Sequence, residues 1–171
     1  LLASAYSSLP RYQMEFSILS DDFVPTNLTP KYAELQNLYN WQEKAIDDLS
    51  DNVWNGYYMT VAIVNALLPR LDNVVPKDDA DKAEVEKIRS EAKALKAMCY
   101  FDLLRLYGPR YSADNLLKEG IILKNRLELD FLPRSTIEDC VTEIEKLLTE
   151  AAAVQNSEAE VFYLSTGAVK A

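Results

Sequence analysis

The sequence predicts an all-α fold. Its 171 residues include only 4 Gly and 7 Pro beside long stretches of Ala, Leu, Glu and Lys. This composition favours helices joined by loops over a β-sandwich or barrel. Apolar side chains also recur at helical spacing along several segments. Since hydrophobic residues make up 49% of the chain, the length and composition predict one domain with a core, covering residues 1–171.

The N-terminal part of the chain is predicted to begin with a helix. Leu2 and Ala5 lie at helical spacing, and Pro10 ends the pattern because proline has no amide hydrogen to donate. In residues 14–18 apolar and polar side chains alternate, which leaves helix and strand both open. From Ser20 to Tyr39 the sequence is polar and punctuated by prolines, and it is predicted to be irregular.

Two long helices are predicted in the middle of the chain. Between Ile46 and Leu71 apolar side chains step by three and four residues, and the pattern is interrupted by one amide, Asn65, expected to bond to backbone. A second helix begins near Asp81 and ends at Gly108, which Pro109 follows. The predicted buried faces are Trp54, Tyr58, Val61, Asn65 and Leu68 on the first helix, and Val85, Ile88, Ala92, Leu95, Cys99 and Leu106 on the second.

The connection from Arg110 to Arg134 is predicted to be irregular, with an extended apolar run at residues 121–123. Ser135 and Glu138 are spaced as a capping box, in which the serine accepts a hydrogen bond from an orphan amide and the glutamate bonds back. A further helix is predicted to begin near Ser165. The predicted buried face of the capped helix is Ile137, Val141, Ile144, Leu148 and Ala151.

The composition argues against several classes of function. A net charge of −9 without a broad Lys/Arg cluster argues against nucleic acid as a partner, because phosphates attract concentrated positive charge. The chain has no histidine, the commonest general base and metal ligand. Cys99 and Cys140 lack metal-ligand spacing and are predicted to be buried thiols, with a disulfide left open. No metal and no cofactor are predicted.

No stretch of the chain has the roughly 20 consecutive apolar residues that span a bilayer. The first residues also lack the charged and apolar regions of a signal peptide. The sequence begins at Leu1 and stops at Ala171 inside segments with helical character. Both ends are therefore expected to be cuts in a longer protein, and the missing export signal does not indicate a cytoplasmic location.

The stretch Glu91–Gly108, EAKALKAMCYFDLLRLYG, resembles the signature helix of the SusD/RagB family. After Gly108 the chain departs from the continuation that many members have. Three further places match the family in the same order: Leu1–Tyr6; the series Trp54, Tyr58 and Asn65; and Pro133–Thr136 with the helix after it and Gly167–Ala171.

Members of this family are nutrient-binding surface lipoproteins of the outer membrane of Bacteroidetes. The resemblance implies a tetratricopeptide-like helical-repeat scaffold with long irregular loops, although no repeat of about 34 residues can be aligned within the chain. It implies that residues 1–171 are the N-terminal helical domain of such a lipoprotein, whose lipid anchor lies outside this segment. It also implies a protein that is not an enzyme, binds an oligo- or polysaccharide and delivers it to a SusC-like TonB-dependent transporter.

A saccharide site combines flat aromatic rings, which stack on sugar faces, with amides or carboxylates that hold hydroxyls. Most aromatic residues lie in the predicted helices and are expected in the core. Tyr39 and Trp41 lie beside the irregular stretch, among the amides of Asn37, Asn40 and Gln42. The predicted ligand contacts are Tyr39, Trp41, Asn40 and Asp22.

Two other functions stay open. A helical-repeat adaptor would bind a peptide in a groove without any sugar. A glycosidase would need two carboxyl groups held across a sugar bond. The adjacent acids Asp21-Asp22 and Asp47-Asp48 are better explained as helix caps or solvated residues, because neighbours in sequence usually point apart. The sequence leaves the identity of the glycan open.

Overall fold

The structure, a computed structural model, describes residues 1–29, 31–128, 131–154 and 169. Within these ranges it is helical, and its only β-type pairing is an isolated antiparallel bridge between Glu119 and Thr136. The all-α prediction is confirmed. The elements are α1 (Leu2–Ser7), α2 (Gln13–Leu19), α3 (Tyr32–Tyr39), α4 (Glu43–Asp72), α5 (Asp79–Tyr107), a 3-10 turn (Ala113–Asn115) and α6 (Ile137–Ala152).

The described residues form two compact units. The larger unit contains Leu1–Ser8 and the described residues from Tyr57 onward, and the smaller unit contains Leu9–Gly56. Helix α4 begins in the smaller unit and ends in the larger one. The predicted helix near Ser165 lies outside the described residues.

The smaller unit is built from α2, α3 and the first half of α4. The segment for which helix and strand were both open is helical, and it buries Ile18. The prediction of irregular structure up to Tyr39 is wrong, because Tyr32–Tyr39 is a helix that buries Leu35 and Leu38. Two leucines three residues apart give this short helix a buried face, but they are too few to show a period among polar neighbours.

Helix α6 begins with a side-chain cap, as predicted, but the capping residue lies one position later than predicted. Thr136 is the N-cap: its hydroxyl accepts a hydrogen bond from the Asp139 amide at 3.1 Å and donates one to the Asp139 carboxylate at 2.7 Å. The hydroxyl and carboxylate predicted for these roles were those of Ser135 and Glu138. The amide of Ser135 instead donates to the carbonyl of Ile121 at 2.8 Å, which holds that residue outside the helix.

The buried face of α4 is centred one residue earlier than predicted. Val61 and Asn65 are buried as expected, but Trp54, Tyr58 and Leu68 are only half-buried. The shift leaves Tyr58 at the edge of the face, from which its hydroxyl bonds to the backbone of a separate segment. The buried residues of α4 are Leu49, Val53, Tyr57, Thr60, Val61, Val64, Asn65, Leu67 and Leu71.

Helices α5 and α6 pack against each other, and their buried faces differ in part from the prediction. On α5, Leu106 is 38% exposed, and Leu103 is buried instead. On α6, Val141 and Leu148 are half-buried. The predicted buried faces are rotated slightly from the observed ones. The buried face of a helix is broad, so the sequence pattern does not determine which of its positions lies at the centre. The predicted residues that are buried are Ala92, Leu95, Cys99, Ile137, Ile144 and Ala151.

The two cysteines are buried free thiols, as predicted. Burial, with the nearby Asp102 carboxylate as a smaller cause, raises the pKa of Cys99 to about 12. Burial also raises the pKa of Cys140. Both side chains therefore remain protonated near neutral pH and serve the core as small apolar groups.

Residues 120–125, called the extended segment below, run between α5 and α6. Gly120 and Ile121 pair with the backbone of Ser135, whereas residues 122–124 have no backbone hydrogen-bond partner among the described residues. The Tyr58 hydroxyl donates to the Ile122 carbonyl at 2.8 Å and accepts from the Ile122 amide at 2.9 Å. The Tyr100 hydroxyl does the same for Lys124, at 2.6 and 2.8 Å. Each hydroxyl thus satisfies both backbone groups of one residue, which a neighbouring strand does in a sheet.

Lys96 adds a third anchor to the extended segment. Its side chain is 3% exposed, and its Nζ donates to the Oδ1 atoms of Asn65 and Asn125 at 2.8 and 3.0 Å. The ammonium also lies 5.5 Å from the centre of the Tyr100 ring. Asn65 in turn donates to the Lys124 carbonyl at 2.8 Å, so the expectation that this amide bonds to backbone is confirmed.

The environment of Lys96 disfavours its charge. Burial lowers the pKa of Lys96 to about 8, while Glu143 opposes the shift and Lys146 adds to it. In the described part of the chain its hydrogen-bond partners are amide oxygens and not carboxylates. Amide dipoles replace only part of the hydration that a buried ammonium loses.

We expect Tyr100→Phe to lower the free energy of unfolding by about 2 kcal/mol, because it leaves the amide and carbonyl of Lys124 without their shared partner. Urea denaturation measures the change as a shift in midpoint. Tyr111→Phe is the matched control, since that side chain is 64% exposed and should tolerate the change. Equal midpoints for the two variants would contradict the anchoring role of Tyr100.

The lowered pKa of Lys96 predicts a pH-dependent contribution to stability. Between about pH 8 and pH 10.5 the unfolded chain holds a proton on this lysine that the folded chain has lost, so wild-type stability rises with pH relative to Lys96→Met. The difference in unfolding free energy between the two proteins should change by about 2 kcal/mol from about pH 7 to about pH 9.5. Other titrating groups are common to both proteins and cancel. A difference that stays constant with pH would show that Lys96 keeps its ordinary pKa.

Candidate functional site

Three of the four predicted ligand contacts lie at the turn between α3 and α4, in the smaller unit. Tyr39 is the last residue of α3 and is half-buried, Asn40 is its exposed C-cap, and Trp41 is 61% exposed. Asp22 lies in a different turn, after α2, where its carboxylate accepts a hydrogen bond from the Ser20 hydroxyl at 2.8 Å. Tyr39, Asn40 and Trp41 therefore lie together only because they are consecutive in the sequence. Asp22 lies on a separate turn.

The turn after α3 is a Schellman motif. The amide of Gln42 donates to the carbonyl of Asn37 at 3.0 Å, and the amide of Trp41 donates to the carbonyl of Leu38 at 2.9 Å. This pair of bonds requires a left-handed backbone at the residue after the C-cap, and Trp41 has a φ of 52°. Glycine is the usual residue there, because a Cβ atom disfavours the left-handed conformation.

Helix α2 ends in the same motif, with Asp21 in the left-handed position at a φ of 62°. The amide of Asp22 donates to the carbonyl of Ser17 at 2.8 Å, and that of Asp21 to Ile18 at 3.2 Å. Aspartate tolerates this conformation because its short polar side chain can bond locally. An indole ring has no such compensation. The backbone conformation of the turn therefore does not explain why residue 41 is a tryptophan.

A groove of about 650 Å³ in the smaller unit, called the polar groove below, begins beside this turn. Leu38 and Gln42 line it, and these two residues flank the predicted contacts at positions 39–41. Leu35, Leu38 and Leu49 supply apolar surface along α3 and α4. Its polar lining includes Glu34, Asn37, Gln42, Asp48, Asp51 and Asn52.

The polar groove offers both donors and acceptors. Lys44 pairs with Asp48 at 3.1 Å, an exposed ion pair that adds little to stability. The Tyr12 hydroxyl donates to the Asn52 carbonyl at 3.0 Å, and burial, with Glu15 as a smaller cause, raises the pKa of Tyr12. The phenol therefore stays neutral. Amides and carboxylates beside leucines are groups that hold the hydroxyls and the apolar faces of a sugar.

Of the polar residues that line this groove, Asn37 and Gln42 were predicted from the sequence to lie beside the ligand contacts, and the others were not. They were missed because α3 was predicted to be irregular. Once α3 is a helix, its N-cap Lys31 lies about one turn before Glu34, and Lys44, Asp48 and Asp51 step by four and three along α4. These two polar stripes at helical spacing are the signal that indicates the groove.

Within the residues that the structure describes, His, Cys, Asp and Glu side chains form no group of three or more that could hold a metal ion. The same part of the chain contains no helix that is both long enough and apolar enough to span a membrane.

The left-handed backbone at position 41 predicts a difference between two variants that both lack the indole. Trp41→Gly should be more stable than Trp41→Ala by about 1 kcal/mol, because only glycine adopts this conformation without a Cβ penalty. Asp21→Gly and Asp21→Ala provide the same comparison at the equivalent position of α2. Urea denaturation gives the four midpoints, and equal stability of the two position-41 variants would contradict the strained turn.

Comparison with known proteins connects this geometry to a family. A SusD-like family model, described as starch-binding and associating with the outer membrane, matches residues 1–171. A SusD-like protein of Bacteroides ovatus is 28% identical over 69 residues, which are 40% of this chain and 12% of that protein.

Two solved structures share the fold. A SusD superfamily protein of Bacteroides thetaiotaomicron superposes with a TM-score of 0.63 at 23% identity, over 69% of this chain and 26% of its own. A laminarin-binding SusD-like protein gives a TM-score of 0.65 at 21% identity, over 99% of this chain and 36% of its own. The chain thus spans between 12% and 36% of the length of these relatives. Because the family model matches every residue from 1 to 171, and the signature stretch Glu91–Gly108 forms most of the buried part of α5, the chain belongs to the SusD-like family.

Proposed function

We propose that this chain is part of a surface protein that binds saccharides at the outer membrane and delivers them to a SusC-like TonB-dependent transporter. The family match over the whole chain, to a group described as starch-binding and associating with the outer membrane, is the observation that carries the proposal. Delivery to a transporter, a lipid anchor outside this segment and the N-terminal position of residues 1–171 follow from the family resemblance.

Within this chain the proposal assigns saccharide contacts to the turn between α3 and α4. The exposed indole of Trp41 offers a flat apolar face, and Tyr39 lies two residues before it. Sugars present C–H groups on one face of the pyranose ring, which aromatic rings bury well. Asn40 and the amides of the adjacent polar groove would hold the hydroxyls. Asp22, on the turn after α2, is retained as a weaker candidate.

The energetics of the turn support a role for Trp41 in binding. A left-handed backbone and a largely exposed aromatic ring are both unfavourable for an isolated folded domain. Residues that break a local rule concentrate at functional sites, where a ligand supplies the compensating contact. A bound sugar would cover the indole and supply that contact.

The proposed protein is a carrier without catalytic activity. Glycoside hydrolysis needs a carboxylic acid whose pKa is raised so that it can donate a proton. The pKa of Glu150 is lowered and not raised, because the Lys93 ammonium bonds to this carboxylate at 2.7 Å. The acids of the polar groove include Asp48, which is already paired with Lys44. These carboxylates are suited to hold hydroxyl groups.

Titration calorimetry with maltoheptaose, laminarin oligosaccharides and a panel of other glycans tests the proposal. We expect saturable binding of at least one glycan. We also expect Trp41→Gly to weaken it by about tenfold, which corresponds to the roughly 1.4 kcal/mol of one stacked aromatic contact. Trp41→Gly is preferable to Trp41→Ala because it removes the ring without straining the turn.

Asp21→Gly is the matched control, since it makes the same backbone change at the end of α2 and leaves the indole in place. It should bind as wild type does. Equal affinity of wild type and Trp41→Gly would move the saccharide site away from the α3–α4 turn. Absence of binding across the panel would contradict the saccharide function and favour a helical adaptor that binds a peptide.

A further inference from the structure

The larger unit contains a second cavity, of about 730 Å³, between the C-terminal end of α5 and the N-terminal half of α6. We call it the α5–α6 pocket. Leu104, Val141 and Ile144 form apolar surface in it, and Phe101 and Tyr111 flank it with rings that are 55% and 64% exposed. Its lining is mainly aliphatic and aromatic, unlike the polar groove of the smaller unit.

The shape of the α5–α6 pocket favours a compact ligand. Helix α5 ends at Tyr107, and the next four residues, 108–111, all line the pocket. The chain that leaves the helix therefore forms a wall at one end. Gly108 allows this close passage, since a Cβ atom there would lie 2.7 Å from the Leu104 carbonyl oxygen. A helical partner needs a groove open at both ends, whereas a volume of several hundred Å³ with one closed end is typical of a small-molecule site.

Arg110 is the cation of the α5–α6 pocket to which a ligand can bind. Arg110 lies in the end wall, and in the described part of the chain its guanidinium has no hydrogen-bond or ion-pair partner. Arg105 lines the same pocket and is held by Asp102 at 3.0 Å. Glu145 is the one acidic residue of the lining. Because Asp102 already neutralises Arg105, the charged groups that remain at the pocket are Arg110 and Glu145, and Arg110 is the one to which a ligand anion can bind.

We propose that the α5–α6 pocket binds a compact amphiphilic anion, an aromatic or aliphatic carboxylate or sulfonate. Its apolar body lies against Leu104, Val141 and Ile144, between the rings of Phe101 and Tyr111. Its acidic group pairs with Arg110, whose planar guanidinium suits a bidentate contact with a carboxylate. This ligand class differs from a saccharide, and the site does not depend on the proposed glycan function.

Two fluorescent probes of the same shape test the proposal with the full chain. The first is 8-anilinonaphthalene-1-sulfonate, and the second is N-phenyl-1-naphthylamine, which lacks the sulfonate. We expect the sulfonate to bind saturably at one site. Arg110→Gln should weaken its binding by about tenfold, the loss expected for one charged hydrogen bond, and should leave binding of the neutral probe unchanged. Val141→Trp fills the pocket and should remove binding of both probes.

Arg70→Gln is the matched charge control, because Arg70 lies in the last turn of α4 and does not line the pocket. It should bind both probes as wild type does, and circular dichroism establishes that each variant is folded. Equal losses in Arg110→Gln and Arg70→Gln would overturn the assignment of Arg110. Sulfonate binding that survives Val141→Trp would place the probe elsewhere. Absence of saturable binding would overturn the proposal and leave the pocket as a surface for a protein partner.

Discussion

The larger unit depends on hydrogen bonds to the backbone of the extended segment. In the described part of the chain, residues 122–124 have no backbone hydrogen-bond partner, and buried amides and carbonyls without partners are costly. Tyr58 from α4 and Tyr100 from α5 solve this with one hydroxyl per residue, at Ile122 and Lys124. Because these anchors come from two helices, they fix the long connection between α5 and α6 and thereby the start of α6.

The same region shows why polar groups are kept in this core. Lys96 and Asn65 are both buried, and their side chains bond to each other and to Lys124 and Asn125 at the C-terminal end of the extended segment. An apolar pair of similar volume would avoid the desolvation of the ammonium but would remove one of the two hydrogen bonds to the Lys124 carbonyl and the hydrogen bond to the Asn125 side-chain oxygen. Buried polar networks add specificity only when each member is satisfied. Here the lowered pKa of Lys96 records the part of its hydration that the amides do not replace.

The sequence predicts what repeats over many residues and misses what depends on distant partners. Helices α4 and α5 are predicted because each maintains its period for about eight turns. Helix α3 has only two buried leucines and was missed. The partners Tyr58 and Ile122 are 64 residues apart, and no local pattern joins them. For the same reason the aromatic and amide residues at positions 39–41 were found by composition, whereas the polar groove beside them required the tertiary arrangement of α3 and α4.

Gly108 and Trp41 are two positions at which the backbone favours glycine, and only one of them has it. At Gly108 the fold leaves no room for a Cβ atom, and the sequence obeys the constraint. At position 41 the backbone favours glycine by a similar argument, and the sequence has an exposed tryptophan instead. Folding alone does not explain that choice, because a smaller residue would relieve the turn and expose less apolar surface. Among the four residues predicted to contact a ligand, Trp41 is therefore the one whose conformation itself argues for a partner outside the chain.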